Sequence, residues 1–138
     1  VPEFTLHSQL AADTAEVGDL PLCRVLLMND ARYPWLILVP RRADIREVYE
    51  LTPEEQNLLW REVTSVGQVM MKTLAGHKLN VAALGNVVPQ LHVHVIVRQS
   101  DDPAWPAPVW GHSPAEPHTP AQLENRLAVI RAGLSGMD

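Results

Sequence analysis

Gln90-Leu91-His92-Val93-His94-Val95-Ile96-Val97-Arg98 carries a strand pattern and a chemical pattern at once. Side chains alternate across a β-strand, so Leu91, Val93, Val95 and Val97 fall on one face, while Gln90, His92, His94, Ile96 and Arg98 fall on the other. The first face is wholly apolar and suits a helix packed against it. The second brings two imidazoles, two residues apart, within reach of one ligand. Such a pair supports two chemistries. Neutral imidazole, whose ordinary pKa is about 6.5, attacks phosphorus and forms an adduct that water hydrolyses. It also ligates zinc or iron. A metal site begun by His-x-His needs a carboxylate and a further histidine nearby, and no carboxylate follows His94 before Asp101. The metal reading is the weaker one, and no cofactor is expected.

Working outward, the helix to cover the apolar face is legible upstream. Thr52 is an N-cap, Pro53 stands at the first helical position where its missing N–H costs nothing, and Glu55 completes a capping box. Leu59, Val63, Val66, Met70 and Leu74 then recur at three- and four-residue steps. This predicts a helix from Pro53 to about Leu74, with Lys72 in its last turn and Gly76 ending it. Before it, Leu22 to Met28 and Trp35 to Val39 read as an antiparallel hairpin around Asn29-Asp30-Ala31-Arg32. Leu79 to Leu84 reads as a further strand, joined to the histidine strand through Gly85-Asn86-Val87-Val88-Pro89. A short helix is expected around Ser8 to Thr14. Six prolines between Asp101 and Pro120 predict a loop, and Gln122 to Leu134 a final helix. Strands, a long helix, then strands again give an α+β fold with an antiparallel sheet.

Composition narrows the partners. At 138 residues and 46% hydrophobic content, the chain is expected to form one domain with a real core. A net charge of −5 leaves no excess of cations to displace counterions, so nucleic acid and anionic membranes are not expected partners. No apolar run reaches the length of a membrane-spanning helix, and Val1 to Gln9 lacks the basic-then-apolar pattern of a secretion signal. Cys23 is the single cysteine, so no internal disulfide forms. It is expected to be a small buried strand residue, and a reducing cytoplasm fits.

The segment from Gly85 to Arg98 resembles the histidine triad (HIT) family of nucleotide hydrolases and transferases, whose glycine turn leads into His-φ-His-φ-His-φ-φ with φ apolar. The likeness extends over the hairpin from Leu22 to Pro40 and the central helix. It implies about five antiparallel strands, a long central helix and a C-terminal helix. It also implies a homodimer that cleaves dinucleoside polyphosphates or nucleoside phosphoramidates at the α-phosphate, through a histidine-nucleotidyl intermediate. By this resemblance His92 falls on the nucleophile and His94 on the histidine beside the phosphate. Gly85 falls on the glycine whose carbonyl accepts the nucleophile's other ring N–H. Asn29 falls on a ribose-binding asparagine and Leu27 on a base-pocket residue. With one residue dropped from the intervening loop, Asn80 falls on a polar position near the phosphate. The backbone N–H groups of Asn86, Val87 and Val88 are expected donors to phosphate, and Arg98 an additional helper. Trp105 to Trp110 resembles a tryptophan-bearing tail that reaches the active site in some members, and sealing of a core or contact is the alternative.

Two positions depart from the family pattern. Gln90 replaces the first triad histidine; it can join the hydrogen-bond network but cannot carry a proton. Val87 replaces a hydroxyl-bearing residue. A nucleotide-binding module without turnover is therefore the alternative to the enzyme.

Overall fold

The computed structural model describes residues 3–137, so the first two residues of the stretch scanned for a secretion signal, and Asp138, lie outside it. The capping box forms as the sequence requires. Thr52 Oγ1 accepts from the Glu55 N–H, the Glu55 carboxylate accepts from the Thr52 N–H, and helix α2 runs over Pro53–Thr73. Four residues of its apolar stripe, Leu59, Val63, Val66 and Met70, are buried, and the fifth, Leu74, is half-buried at the C-cap. Each of the four buried side chains stabilises the fold by about 2 kcal/mol relative to exposure. The left-handed residue past the helix is Ala75 (φ 49°), not Gly76. Gly76 is required for another reason, since a Cβ there would lie 2.6 Å from Val97 Cγ1.

Five strands form one antiparallel sheet: β1 (Thr14–Asp19), β2 (Cys23–Met28), β3 (Trp35–Pro40), β4 (Lys78–Ala82) and β5 (Val93–Arg98), in the order β1-β2-β3-β5-β4. This is the expected α+β architecture. One face packs on α2 through Val25, Leu27, Leu36, Leu38, Val93, Val95 and Val97. Leu91 joins that core from just before β5. The other face carries a second cluster, including Leu26, Trp35, Ile37 and Ile96, covered by Leu10 and by the segment holding Ala104 and Val109. A buried carboxylate on α2, Glu62, accepts from the N–H groups of Leu22 and Cys23 at 2.8 Å each, pinning the start of β2 to the helix. Cys23 is buried as expected, and burial raises its thiol pKa.

The predicted helix at Ser8 forms as α1 (Ser8–Asp13), and the last helix is α3 (Pro120–Ser135), opened by a second capping box of Thr119 and Gln122. The prolines from 103 to 117 fall in a segment without helix or strand. Strand β1 was not legible in the sequence. It is an edge strand with one buried residue, Val17, and its register shifts between Glu16 and Gly18. Arg131 of α3 donates to the carbonyls of Glu16 and Val17 at that irregularity. Strand β4 ends at Ala82, short of the expected Leu84, because the chain turns away toward Gly85.

Candidate active site

Register brings the site together. Ile37 of β3 pairs with His94 of β5, and Trp35 pairs with Ile96, so Trp35 lies diagonally beside His94 on the same sheet face. There the sheet, α1 and the turn at 84–88 enclose a cleft of about 420 Å³. His92 and His94 line it with ring centroids 5.0 Å apart. Both are buried.

Each ring has one nitrogen committed to a defined partner. His92 Nδ1 lies 2.7 Å from the Gln90 carbonyl oxygen. A carbonyl only accepts, so Nδ1 carries the proton and Nε2 of the neutral ring carries the lone pair. His94 Nδ1 accepts from the Trp35 indole Nε1–H at 2.9 Å. Burial, and then the neighbouring His92, lower the His94 pKa to about 4. Trp110 stands edge-on to His94 at 5.2 Å and also lines the cleft.

Several expected residues are here. Asn86, Val87 and Val88 line the cleft with His92 and His94. Trp110 reaches it, whereas half-buried Trp105 packs on His77 and against the Arg98 guanidinium, so only one of the two tryptophans lines the cleft.

Other expectations are corrected. The partner of the His92 ring is the carbonyl of Gln90, not that of Gly85; the turn at Gly85 (φ 73°) lies before the segment that holds the ring. The Gln90 side chain points away from the imidazoles. Its Oε1 accepts from the His7 N–H at 2.8 Å and its Nε2 donates to the Thr5 carbonyl at 2.9 Å, beside a separate groove of about 380 Å³. Leu27 is fully buried on the α2 face, the opposite side of the sheet from the histidines. Asn29 lies beyond the end of β2, where its Oδ1 accepts from the His118 backbone N–H, tethering the approach to α3. Arg98 is buried and all three of its nitrogens are engaged: Asp102 takes Nε at 2.7 Å, Asn80 Oδ1 takes Nη1, and the Ala107 carbonyl takes Nη2. Asn80 is thereby occupied away from the cleft, and neither Asn80 nor Arg98 lines it. The physical reasons differ. Leu27 lies on the covered face of the sheet, Gln90 precedes the strand and is not bound by its alternation, and Arg98 and Asn80 share the His94 face but are captured by partners at its far end.

Sequence reasoning missed Met28, Trp35, Ile37 and Leu10, which supply the apolar walls. Met28 has the parity opposite to Leu27 on β2, so the signal was available once the register was known. Among the cleft-lining residues none is Lys or Arg, and Asp13 is the one carboxylate. Among the described residues, no three His, Cys, Asp or Glu side chains cluster as a metal site requires. Among the described residues, no helix is long and apolar enough to cross a membrane.

Comparison with known proteins agrees with this fold. The HIT domain family matches residues 9–101. Solved structures similar to the chain include a histidine triad protein from Marinobacter aquaeolei VT8, with 50% identity, 99% of this chain and 100% of that one covered, and a TM-score of 0.95. A histidine triad protein from Sinorhizobium meliloti 1021 has 50% identity over 95% of this chain and 97% of its own, with a TM-score of 0.92. One from Bradyrhizobium japonicum has 45% identity over 96% and 98%, also at 0.92. A comparison with curated proteins gave no match. With the family match spanning the sheet, the central helix and both histidines of the cleft, this chain belongs to the histidine triad family.

Proposed function

We propose that the chain is a nucleotide hydrolase or nucleotidyl transferase that cleaves at the α-phosphate, with His92 as nucleophile. The observation that carries this reading is the bond from His92 Nδ1 to the Gln90 carbonyl, which leaves Nε2 unprotonated on a residue lining the cleft. The nucleoside lies against Met28, Ile37 and Leu10, and the α-phosphate sits between the two imidazoles. The Nε2 lone pair forms an N–P bond as the bond from phosphorus to the leaving group breaks. The ring then carries a positive charge, shared with the Nδ1–H held by the carbonyl. Water attacks the adduct, the N–P bond breaks, the ring returns to its neutral form, and a nucleoside monophosphate leaves with the proton passing to solvent. His94 and the backbone of Asn86 to Val88 support the charge on the phosphorus oxygens. Gln90 acts here through its backbone, and its side chain supplies no proton. No cofactor is assigned a step.

That lack of a proton source favours leaving groups that depart as anions, so dinucleoside polyphosphates are the first substrate class. A specific observation favours nucleoside phosphoramidates and acyl adenylates as the second: no Lys or Arg lines the cleft and Asp13 does, which suits a phosphorus centre of low charge. The reading includes a symmetric pair of chains, for which the outer edge of β4 with exposed Val81, and Trp60 on α2, supply surface.

The test is incubation of the wild-type and His92→Ala chains with diadenosine tetraphosphate and with an adenosine phosphoramidate, with products identified by mass. Wild type is expected to release adenosine monophosphate and to give a quenchable nucleotidyl adduct approaching one per chain. His92→Ala is expected to give neither while keeping its circular dichroism. Nucleotide binding without product in either chain would identify a binding module instead.

A further inference from the structure

Two imidazoles 5.0 Å apart in one cleft have no intrinsic reason to differ, yet the proposed reaction needs one to present a lone pair and the other a proton. Their partners sort them. The Gln90 carbonyl, an acceptor, faces one ring, and the Trp35 indole, a donor, faces the other. An indole N–H never accepts, so His94 Nδ1 must present its lone pair to it, and the single proton of the neutral ring sits on Nε2. We propose that Trp35 is a positioning residue that fixes His94 as a neutral Nε2–H donor toward the phosphorus oxygens. The purpose of this device rests on the proposed reaction; its geometry does not.

Three features agree. Trp35 is buried at the start of β3 and held by its edge-on contact with Trp110, so the indole is rigid. Protonating His94 at Nδ1 would set one N–H against another, which acts in the same direction as burial and the neighbouring His92 in keeping the ring neutral down to about pH 4. No other element works against this. Among the described residues, His92 from the segment just before β5 and Asp13 from α1 are the other titratable groups at the cleft, while β3, the turn at 84–88 and the Trp110 loop present none. Ala82 pairs with His94 from β4. Without the indole bond, the Nδ1–H tautomer becomes available, and its Nε2 lone pair would face the phosphate oxygens and repel them.

The test uses Trp35→Phe, and a second chain with benzothienylalanine at the same position, which keeps the indole shape with sulfur in place of the N–H. Imidazole nitrogen NMR of the free proteins reads the tautomer and titration of His94, and steady-state kinetics are measured on whichever substrate the wild type turns over. In the wild type His94 is expected as the Nε2–H form, neutral to about pH 4. Both variants are expected to give a mixture of tautomers, a titration moved toward the ordinary value of about 6.5, and kcat reduced roughly tenfold or more with KM little changed. Should the benzothienyl chain keep the wild-type tautomer and titration, or keep its kcat once they have changed, the proposal is overturned. If Trp35→Phe fails to fold, the isosteric chain answers alone. A wild type without turnover would defeat the reaction, whereas the NMR arm would still judge the tautomer.

Discussion

Leu27 and Met28 are neighbours with opposite surroundings. Leu27 is fully buried between the sheet and α2, and Met28 lines the cleft. Truncating the first leaves a cavity in a core that cannot collapse around it; truncating the second widens a space that is already open. Leu27→Ala is therefore expected to lower stability by about 2–5 kcal/mol in denaturant titrations, with KM for nucleotide hardly altered. Met28→Ala is expected to raise KM with a much smaller stability loss. A reversal of the two effects would return Leu27 to the ligand. At this scale the histidines were legible because alternation is a local rule, and His92 and His94 do share a cleft. Trp35 was not, because its bond to His94 joins residues 59 positions apart.

Among elements, the turn that follows β5 is held by one buried ion pair. Arg98, the last residue of β5, is held by both Asp102 oxygens, and the Asp102 carboxylate also accepts from the Gln99 and Trp105 N–H groups. The Arg98 guanidinium keeps the Asp102 carboxyl below its usual range. Removing the carboxylate leaves a buried cation unpaired and releases the turn from which Trp110 reaches the cleft. Asp102→Ala is thus expected to cost about 3–5 kcal/mol by thermal or chemical unfolding. Were Arg98 a phosphate ligand instead, the main effect of Asp102→Ala would fall on KM and the stability would barely move. The strand itself was readable from its apolar alternation. The closing of its arginine onto a turn four residues later was not, because an arginine on a strand face reads equally as ligand or as structure until its partner is placed.

For the molecule as a whole, the buried imidazole of His94 makes stability depend on pH. His94 titrates near 4 when folded and near 6.5 when unfolded, so the unfolded chain binds the extra proton between those values. Its contribution is fully present above about pH 6.5, is lost progressively as pH falls to about 4, and amounts to roughly 3 kcal/mol over that window. His118, whose pKa burial and then Arg126 also lower, acts in the same direction. Denaturation midpoints are therefore expected to fall between pH 6.5 and 4. In His94→Gln the fall should be shallower, with His118 leaving the smaller remainder. An equal slope in both chains would remove His94 as its cause. The composition, the capped 21-residue helix and the alternating strand determined the α+β class and the two histidines, because helix caps and side-chain periodicity are properties of neighbouring residues. Strand β1, the face of Leu27, the capture of Asn80 and Arg98, and the partner of each imidazole were decided only by the tertiary structure. Each depends on register between strands and on what covers a sheet face, and those are set by residues far apart in the chain.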